Sequence, residues 1–135
     1  MFYIKSGNTD PYYNLALEEY IMTHIAGDEP VIRLWQNVPS IIIGRFQNTV
    51  EEVNSHYVEQ NGIKVVRRLT GGGAVYHDLG NLNFTFAGKQ DAGSTAIDFR
   101  QFTQPVINLL NKMGIPAALS GRNDMTVNDR KLMTG

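Results

Sequence analysis

Apolar residues recur every three to four positions in two stretches of the chain, which predicts two helices, and a capping box predicts a further helix between them. Asp10 and Pro11 are typical of the start of the first helix, because Asp caps helices and Pro suits the first helical position. Thr49 and Glu52 form a capping box at the start of the second. The third contains Pro105, which predicts either a kink or the true start of that helix. The helices should run from Asp10 to a stop at Gly27, from Thr49 to Asn61 and from Phe99 to Met113.

Short apolar runs between the helices predict strands. Ile41–Ile43 is apolar on both faces, as in a covered sheet, whereas Leu82, Phe84 and Phe86 alternate with other residues. Strands and helices mix without strict alternation, which favours an α+β fold with antiparallel strand pairs. The predicted strands are Met1–Ile4, Pro30–Trp35, Ser40–Arg45, a central sheet of Ile63–Leu69, Ala74–Asp78 and Leu82–Ala87, and the final strands Ala117–Ser120, Met125–Val127 and Lys131–Met133.

Composition narrows the classes of function. The 135 residues carry a formal net charge of -1 and no cysteine, which excludes disulfides, thiolate zinc sites and a cysteine nucleophile within the chain. The near-zero charge disfavours nucleic-acid and anionic-membrane partners. No apolar stretch approaches the roughly 18 residues of a membrane span, and no signal peptide is recognisable. We therefore expect one domain over residues 1–135, located in the cytoplasm.

Three consecutive glycines, Gly71–Gly73, separate two predicted strands. Glycines permit positive φ and remove the Cβ atoms that would keep an anion from the backbone amides. The guanidinium of Arg68 could add a charge-assisted contact to a phosphate or carboxylate. A flexible hairpin loop explains the glycines equally well. A Walker A loop is excluded, because the Lys-Ser/Thr pair and the following helix are missing.

A second group of polar residues lies near the end of the chain. Asn123 and Asp124 could together hold a hydrated Mg²⁺, which prefers one or two carboxylates plus phosphate oxygens. Taken alone, these residues usually form a turn, and Lys131 alone is a solvated surface cation. In combination with the glycine loop, they match the needs of carboxylate activation by a nucleotide.

Other polar residues carry weaker signals. Arg45 and Asn48 follow an apolar strand and could point into a site, although capping or surface roles explain them as well. A structural role is favoured for His77, and His24 and His56 lie on predicted helices. No Ser-His-Asp pattern, HExxH motif or EF-hand loop occurs.

Five motifs, in order along essentially the whole chain, closely resemble those of lipoate–protein ligases of the kind found in Gram-positive bacteria. They are Asn14–Glu19, Ile43–Asn48, Arg67–Phe86, Gly121–Asp124 and Asp129–Lys131. The resemblance implies the fold shared with biotin–protein ligases and class II aminoacyl-tRNA synthetases, a mixed, largely antiparallel sheet flanked by helices. Family members continue beyond the length of this chain, so we expect an N-terminal portion of the catalytic domain.

The resemblance also implies a two-step reaction. Lipoate and ATP, with Mg²⁺, give lipoyl-AMP and pyrophosphate. The ε-amine of a lysine on a lipoyl-domain protein then displaces AMP. The expected acceptors are of the 2-oxoacid dehydrogenase E2 or glycine cleavage H protein type.

The same resemblance implies roles for particular residues. Lys131 would be catalytic and contact both lipoate and ATP, and Asn123 and Asp124 would lie near the phosphates and Mg²⁺. The expected ATP-binding residues, besides Lys131, are Arg68, Gly73, Ala74, Val75 and Tyr76. The expected lipoate-binding residues, besides Lys131, are Arg68, Gly71, Gly72, Leu15 and Leu17, with Val75 as a further candidate for the acyl groove.

Two alternatives stay open on the sequence alone. One is an ATP-independent octanoyl or lipoyl transferase of the same fold, and the other is a non-catalytic ligand-binding fragment. Biotin ligase is disfavoured, because its glycine- and arginine-rich loop differs from residues 67–73. The segment Lys131–Gly135 is one residue longer than the family pattern, which leaves the register after Lys131 open.

Overall fold

The computed structural model describes residues 1–88, 99–121 and 124–134. The chain divides into two compact units, Met1–Lys89 and Gln90–Gly135. In chain order the elements are β1 (Phe2–Lys5), α1 (Pro11–Tyr20), a π-helical turn (Ile21–Ile25), β2 (Val31–Trp35), β3 (Ser40–Ile43), α2 (Thr49–Glu52), α3 (Ser55–Gln60), β4 (Lys64–Arg67), β5 (Val75–His77), β6 (Asn83–Ala87), α4 (Phe99–Lys112), β7 (Ala117–Ser120), β8 (Asp124–Val127) and β9 (Arg130–Thr134).

The first unit contains two three-stranded sheets. In one, β2 pairs in parallel with β1 and antiparallel with β6, and in the other β3 pairs in parallel with β4 and antiparallel with β5. The prediction of one central sheet from Ile63 to Ala87 is therefore wrong. The last of its strands leaves the other two because it pairs over its whole length with β2, from Trp35 opposite Asn83 to Val31 opposite Ala87.

Helix α1 begins as predicted. The Asp10 side chain caps it by accepting hydrogen bonds from the N–H groups of Tyr12 and Tyr13. Helical structure continues through the π-helical turn to Ile25, and the N–H of its C-cap, Ala26, donates to the carbonyl of Ile21 at 2.7 Å. Gly27 is therefore the first residue past the cap, the position at which it was expected to close the helix. The ammonium of Lys64 pairs with the carboxylate of Asp10 and lowers its pKa. The hydrogen bond that Asp10 accepts from the N–H of Tyr13 lowers this pKa further. The start of α1 is thus tied to β4.

The predicted helix from Thr49 to Asn61 is two short helices. Val53 is extended and buried, which breaks the helix after Glu52. Asn48, rather than Thr49, caps α2, and the Asn54 side chain accepts a hydrogen bond from the N–H of Tyr57 to start α3. The competing Asn caps explain the difference, because each starts a helix of its own.

A buried polar cluster fastens α1 to the strand β2. Asn14 is fully buried, and its side-chain amide donates to the carbonyls of Asn8 and Gln36 and to the side-chain oxygen of Asn37, at 2.9–3.0 Å. The guanidinium of Arg33, also fully buried, donates to the main-chain carbonyl and the side-chain oxygen of Asn14. Polar contacts therefore fix the orientation of α1 within the first unit.

The second unit consists of α4 and an antiparallel sheet of β7, β8 and β9, and α4 packs on this sheet. Ile107, Ala117 and Met125 form its core. Pro105 lies inside α4, so it is not the start of that helix. Asn128 and Asp129 both have positive φ, as a tight hairpin turn requires. No helix in residues 1–88, 99–121 or 124–134 is long and apolar enough to cross a membrane.

Candidate active site

The glycine loop (residues 69–74) joins β4 to β5 and is held by the side chain of Arg68. The guanidinium of Arg68 donates to the carbonyl of Gly71 at 2.8 and 3.1 Å, to that of Gly73 at 2.7 Å and to that of Ile42 at 3.2 Å. Gly72 takes a φ of +97°, the conformation that the three glycines predict. All three guanidinium nitrogens of Arg68 therefore contact backbone carbonyls.

The glycine loop rests directly on Gly44, a buried residue for which sequence reasoning gave no role. A Cβ atom on Gly44 would lie 2.0 Å from the carbonyl oxygen of Gly72. On either side of this contact, the N–H of Arg45 donates to the carbonyl of Thr70 and the N–H of Arg68 donates to that of Ile43, both at 2.9 Å. In the sequence, Gly44 stood at the end of an apolar strand and within the motif Ile43–Asn48 that resembles the ligase family.

A cleft of about 180 Å³ lies between α1 and the end of β4. Its lining combines apolar side chains with polar and charged ones: Leu15, Ala16, Met22, Val66 and Leu69 together with Tyr12, Glu18, Glu19, Arg67, Arg68 and Thr70. The structure thus brings together Leu15 and Arg68, two of the residues expected to bind lipoate. Val75 is not among the lining residues.

Leu17 lies on the other side of α1 from this cleft. It packs against the core formed by Ile21, Val31 and Ala87. Residues two apart on a helix point about 200° away from each other, so Leu15 and Leu17 cannot share one groove. The expectation that both line the acyl groove is not met for Leu17, and helical spacing alone could have signalled this.

Glu18 contributes a carboxylate to the cleft that is fixed from the protein interior. Its Oε1 accepts a hydrogen bond from the Thr85 hydroxyl at 2.6 Å, and the Thr85 oxygen accepts one from the indole N–H of Trp35 at 2.9 Å. Burial lowers the pKa of the nearby Arg33, while the charge of Glu18 raises it. The cleft wall is therefore continuous with the buried polar cluster.

The strand after the glycine loop, β5, carries two of the expected ligand residues, Val75 and Tyr76, as well as His77. Val75 and His77 are half-buried and Tyr76 is exposed. The Nδ1 atom of His77 lies 3.1 Å from the side-chain nitrogen of Asn37. Burial, and then the positive charge of Arg68, lower the pKa of His77 from its ordinary value of 6.5. These contacts are those of a structural histidine that is neutral at pH 7.

In the second unit, Lys131 forms an ion pair with Asp124. The Nζ of Lys131 lies 3.0 Å from Oδ1 of Asp124, and both side chains are substantially exposed. The two residues lie on neighbouring strands, at a register shift between Met125 and Thr126. The sequence placed these two residues in one group, but it did not predict that they pair.

The expected Mg²⁺ ligands are described only in part. Asn123 lies outside the described residues, and the carboxylate of Asp124 is engaged by Lys131. Within the three described ranges, no three His, Cys, Asp or Glu side chains come together to hold a metal ion. A single carboxylate fits Mg²⁺ only together with other oxygen ligands, such as the phosphate oxygens of a nucleotide.

Residues 10–133 match the lipoyl protein ligase A/B catalytic domain family, and the chain belongs to this family. It is 54% identical over 133 residues to lipoate-protein ligase LplJ of Bacillus subtilis, covering 98% of this chain and 40% of that protein. The chain thus spans about 40% of the length of the curated relatives it matches.

Solved structures show the same fold. A Thermoplasma acidophilum protein with bound lipoic acid has a TM-score of 0.86 at 33% identity, over 98% of this chain and 60% of that one. A bipartite lipoate protein ligase studied with its E2 lipoyl domain, from the same organism, scores 0.85 at 36% identity, over 96% and 51%. A lipoate-protein ligase A bound with ATP scores 0.82 at 36% identity, over 98% and 58%. The predicted α+β ligase fold is confirmed.

Proposed function

We propose that this chain carries the acyl- and nucleotide-binding part of an ATP-dependent lipoate–protein ligase. In the first step, a carboxylate oxygen of lipoate attacks the α-phosphorus of ATP, and pyrophosphate leaves. In the second step, a lysine ε-amine attacks the acyl carbon of lipoyl-AMP, loses a proton and forms an amide as AMP leaves. The observation that carries the proposal is the cleft that apolar side chains line together with Arg68 and with Thr70 of the glycine loop.

The acyl chain of lipoate fits the chemistry of this cleft. Leu15, Met22, Val66 and Leu69 offer apolar surface, on which each buried methylene contributes roughly 0.8 kcal/mol. The carboxylate of the substrate would lie next to the guanidinium of Arg68. Octanoate, which lacks the dithiolane ring, should bind more weakly without being refused.

For the nucleotide, we propose contacts from Arg68 and from Gly73, Ala74, Val75 and Tyr76. The guanidinium of Arg68 must then give up some of its carbonyl partners in the loop. This exchange is favourable, because a charge-assisted, bidentate bond to phosphate is stronger than a bond to a neutral carbonyl. ATP binding should therefore change the conformation of the glycine loop, to which Gly71 and Gly72 belong.

Lys131 is proposed as the cation that stabilises charge during adenylate formation. Attack on the α-phosphate concentrates negative charge around phosphorus, and a fixed ammonium stabilises that charge without reorganising solvent. Mg²⁺ would enter with ATP, with Asp124 as one protein ligand beside phosphate oxygens.

The proposed acceptor is a lysine on a lipoyl domain, of the E2 or glycine cleavage H protein type. The E2 lipoyl domain studied with the T. acidophilum ligase supports this class of partner. A cytoplasmic location remains a prediction from the sequence.

Lipoate-dependent exchange of labelled pyrophosphate into ATP tests the proposal. It should be measured on this chain and on a chain extended to the length of its relatives. Exchange in the longer chain supports the ligase. Octanoyl transfer between carrier proteins without ATP would indicate the transferase, and lipoate or ATP binding without exchange or transfer would indicate a binding fragment.

A further inference from the structure

Arg67 makes an unusual set of contacts with residues 44–49, here called the clamped segment. Its Nη1 lies 2.8 Å from the carbonyl oxygens of Gly44 and Gln47 and 3.2 Å from that of Arg45. Its Nη2 donates to the hydroxyl of Thr49 at 2.8 Å. The guanidinium of Arg67 thus binds three backbone carbonyls and one hydroxyl of the clamped segment.

The clamped segment is also the support of the glycine loop. Gly44 lies against the carbonyl of Gly72, and the N–H of Arg45 donates to the carbonyl of Thr70. The side chain of Gln47 closes the turn by accepting a hydrogen bond from the N–H of Gly44 at 2.8 Å. A displacement of the clamped segment would therefore be transmitted to the loop that begins one residue after Arg68.

We propose that Arg67 is a positioning residue for the nucleotide, which acts by holding the clamped segment under the glycine loop. The inference rests on the proposed function. The two neighbouring arginines have separate tasks: Arg68 binds the carbonyls of the loop itself, while Arg67 binds the support beneath it. The task of Arg67 requires a planar fork with several N–H groups, which a lysine ammonium on a flexible stem does not reproduce.

The test is Arg67→Lys, which keeps the charge and removes the fork, in an enzyme active in pyrophosphate exchange. We expect KM for ATP to rise roughly tenfold, as for the loss of one or two net hydrogen bonds. KM for lipoate should rise by a smaller factor than KM for ATP, because Arg67 lines the cleft but its guanidinium is held by the clamped segment. The melting temperature should stay within a few degrees. Arg45→Lys is the matched control, because the Arg45 side chain lies over the ring of Phe46 and makes none of these contacts.

Two further measurements separate positioning from general stability. Thr49→Val removes one of the four contacts and should raise KM for ATP in the same direction by a smaller factor. Amide hydrogen exchange on this chain should accelerate at residues 70–74 in Arg67→Lys, at unchanged global stability, and not in Arg45→Lys. The proposal would be overturned by an unchanged KM for ATP. It would also be overturned if KM for ATP and KM for lipoate rose equally while the melting temperature fell. If the wild type shows no exchange of pyrophosphate, the proposed function fails, whereas the hydrogen-exchange result still decides whether Arg67 holds the loop.

Discussion

The side-chain oxygen of Asn14 accepts a hydrogen bond from the guanidinium of Arg33, and both side chains are fully buried. The amide nitrogen of the same Asn14 faces three acceptors, on Asn8, Gln36 and Asn37. Asn14 therefore needs both a donor and an acceptor end. No residue of similar shape offers the same pair of groups in the same orientation.

Asn14→Asp should destabilise the protein although it adds a negative charge beside Arg33. The carboxylate cannot donate, so the part-buried carbonyls of Asn8 and Gln36 and the buried side-chain oxygen of Asn37 lose their partner, at a cost on the order of 3 kcal/mol in the free energy of unfolding. Urea denaturation measures this cost. Asn61→Asp is the control, because that amide donates to a single carbonyl at an exposed helix end. An Asn14→Asp variant as stable as the wild type would mean that attraction to Arg33 outweighs the lost donors.

Gly44→Ala should displace the glycine loop. The added Cβ would lie 2.0 Å from a backbone oxygen, which no side-chain rotation can relieve. Overpacking of this kind costs about 1–3 kcal/mol, and thermal denaturation would detect it. Gly7→Ala should be close to neutral, because no heavy atom lies within 4 Å of its Cβ position. ATP-dependent exchange should fall in the first variant only, and equal behaviour of the two would show that the loop does not depend on Gly44.

Features that depend on neighbouring residues were predictable from the sequence. The Asp10 cap, the positive φ in the Gly71–Gly73 turn and the Asn128–Asp129 hairpin each follow from local chemistry. The resemblance identified the family from motifs of the same local kind. The ion pair between Asp124 and Lys131 joins the neighbouring strands β8 and β9. It could not be predicted from the sequence, because the pairing of these strands includes a register shift between Met125 and Thr126.

Features that depend on distant pairing were not predictable. The split into two sheets arises because β6 pairs with β2 and not with β5, which precedes it in the chain. The alternation of apolar residues predicts a strand but does not specify its partner strand. The partners of Arg67 lie some twenty residues earlier in the chain and are mostly backbone carbonyls, which leave no mark on the sequence. The helix break at Val53 was partly predictable. The sequence contains two Asn caps, Asn48 and Asn54, as well as the capping box, and only the structure shows that both Asn caps are used.

Leu15→Ala and Leu17→Ala should have different consequences although they remove the same atoms. Leu15 lines the cleft, so its truncation should weaken lipoate binding roughly tenfold, the effect of losing part of a buried leucine, with little change in stability. Leu17 packs on the core, so its truncation should lower the melting temperature and leave lipoate affinity nearly unchanged. Calorimetric titration with lipoate and thermal denaturation distinguish the two. Equal loss of lipoate affinity would put the acyl chain elsewhere.

His77 should make stability depend on pH. Because its pKa in the folded protein is below 6.5, the unfolded chain binds a proton first as the pH falls. The stabilising contribution is complete above about pH 6.5 and is lost as the pH falls towards the lowered pKa. NMR titration of the imidazole measures this directly. His77→Gln should flatten the pH dependence of the melting temperature, whereas His56→Gln, at an exposed helix position, should not.

Arg68→Gln should raise the pKa of His77, because the charge of Arg68 is the second cause of the lowering after burial. Arg45→Gln removes a charge that is not among those causes and is the control. An imidazole that titrates at 6.5 or above in the wild type would contradict both expectations.

The ammonium of Lys131 lies 3.0 Å from Oδ1 of Asp124. If Lys131 stabilises the charge that develops at the α-phosphate, Lys131→Ala should slow adenylate formation by on the order of 10²–10³, the usual cost of losing one such contact. Transfer from chemically supplied lipoyl-AMP should suffer less. Lys131→Arg should restore little, because a planar guanidinium does not replace a compact ammonium between two oxyanions. Asp124→Asn keeps the shape of the partner and removes its charge, so it should slow the same step by a smaller factor. The measurements are lipoate-dependent pyrophosphate exchange and single-step transfer, in a chain long enough to be active. If Lys131→Ala exchanges pyrophosphate at the wild-type rate, Lys131 has no catalytic role and is an exposed surface cation paired with Asp124.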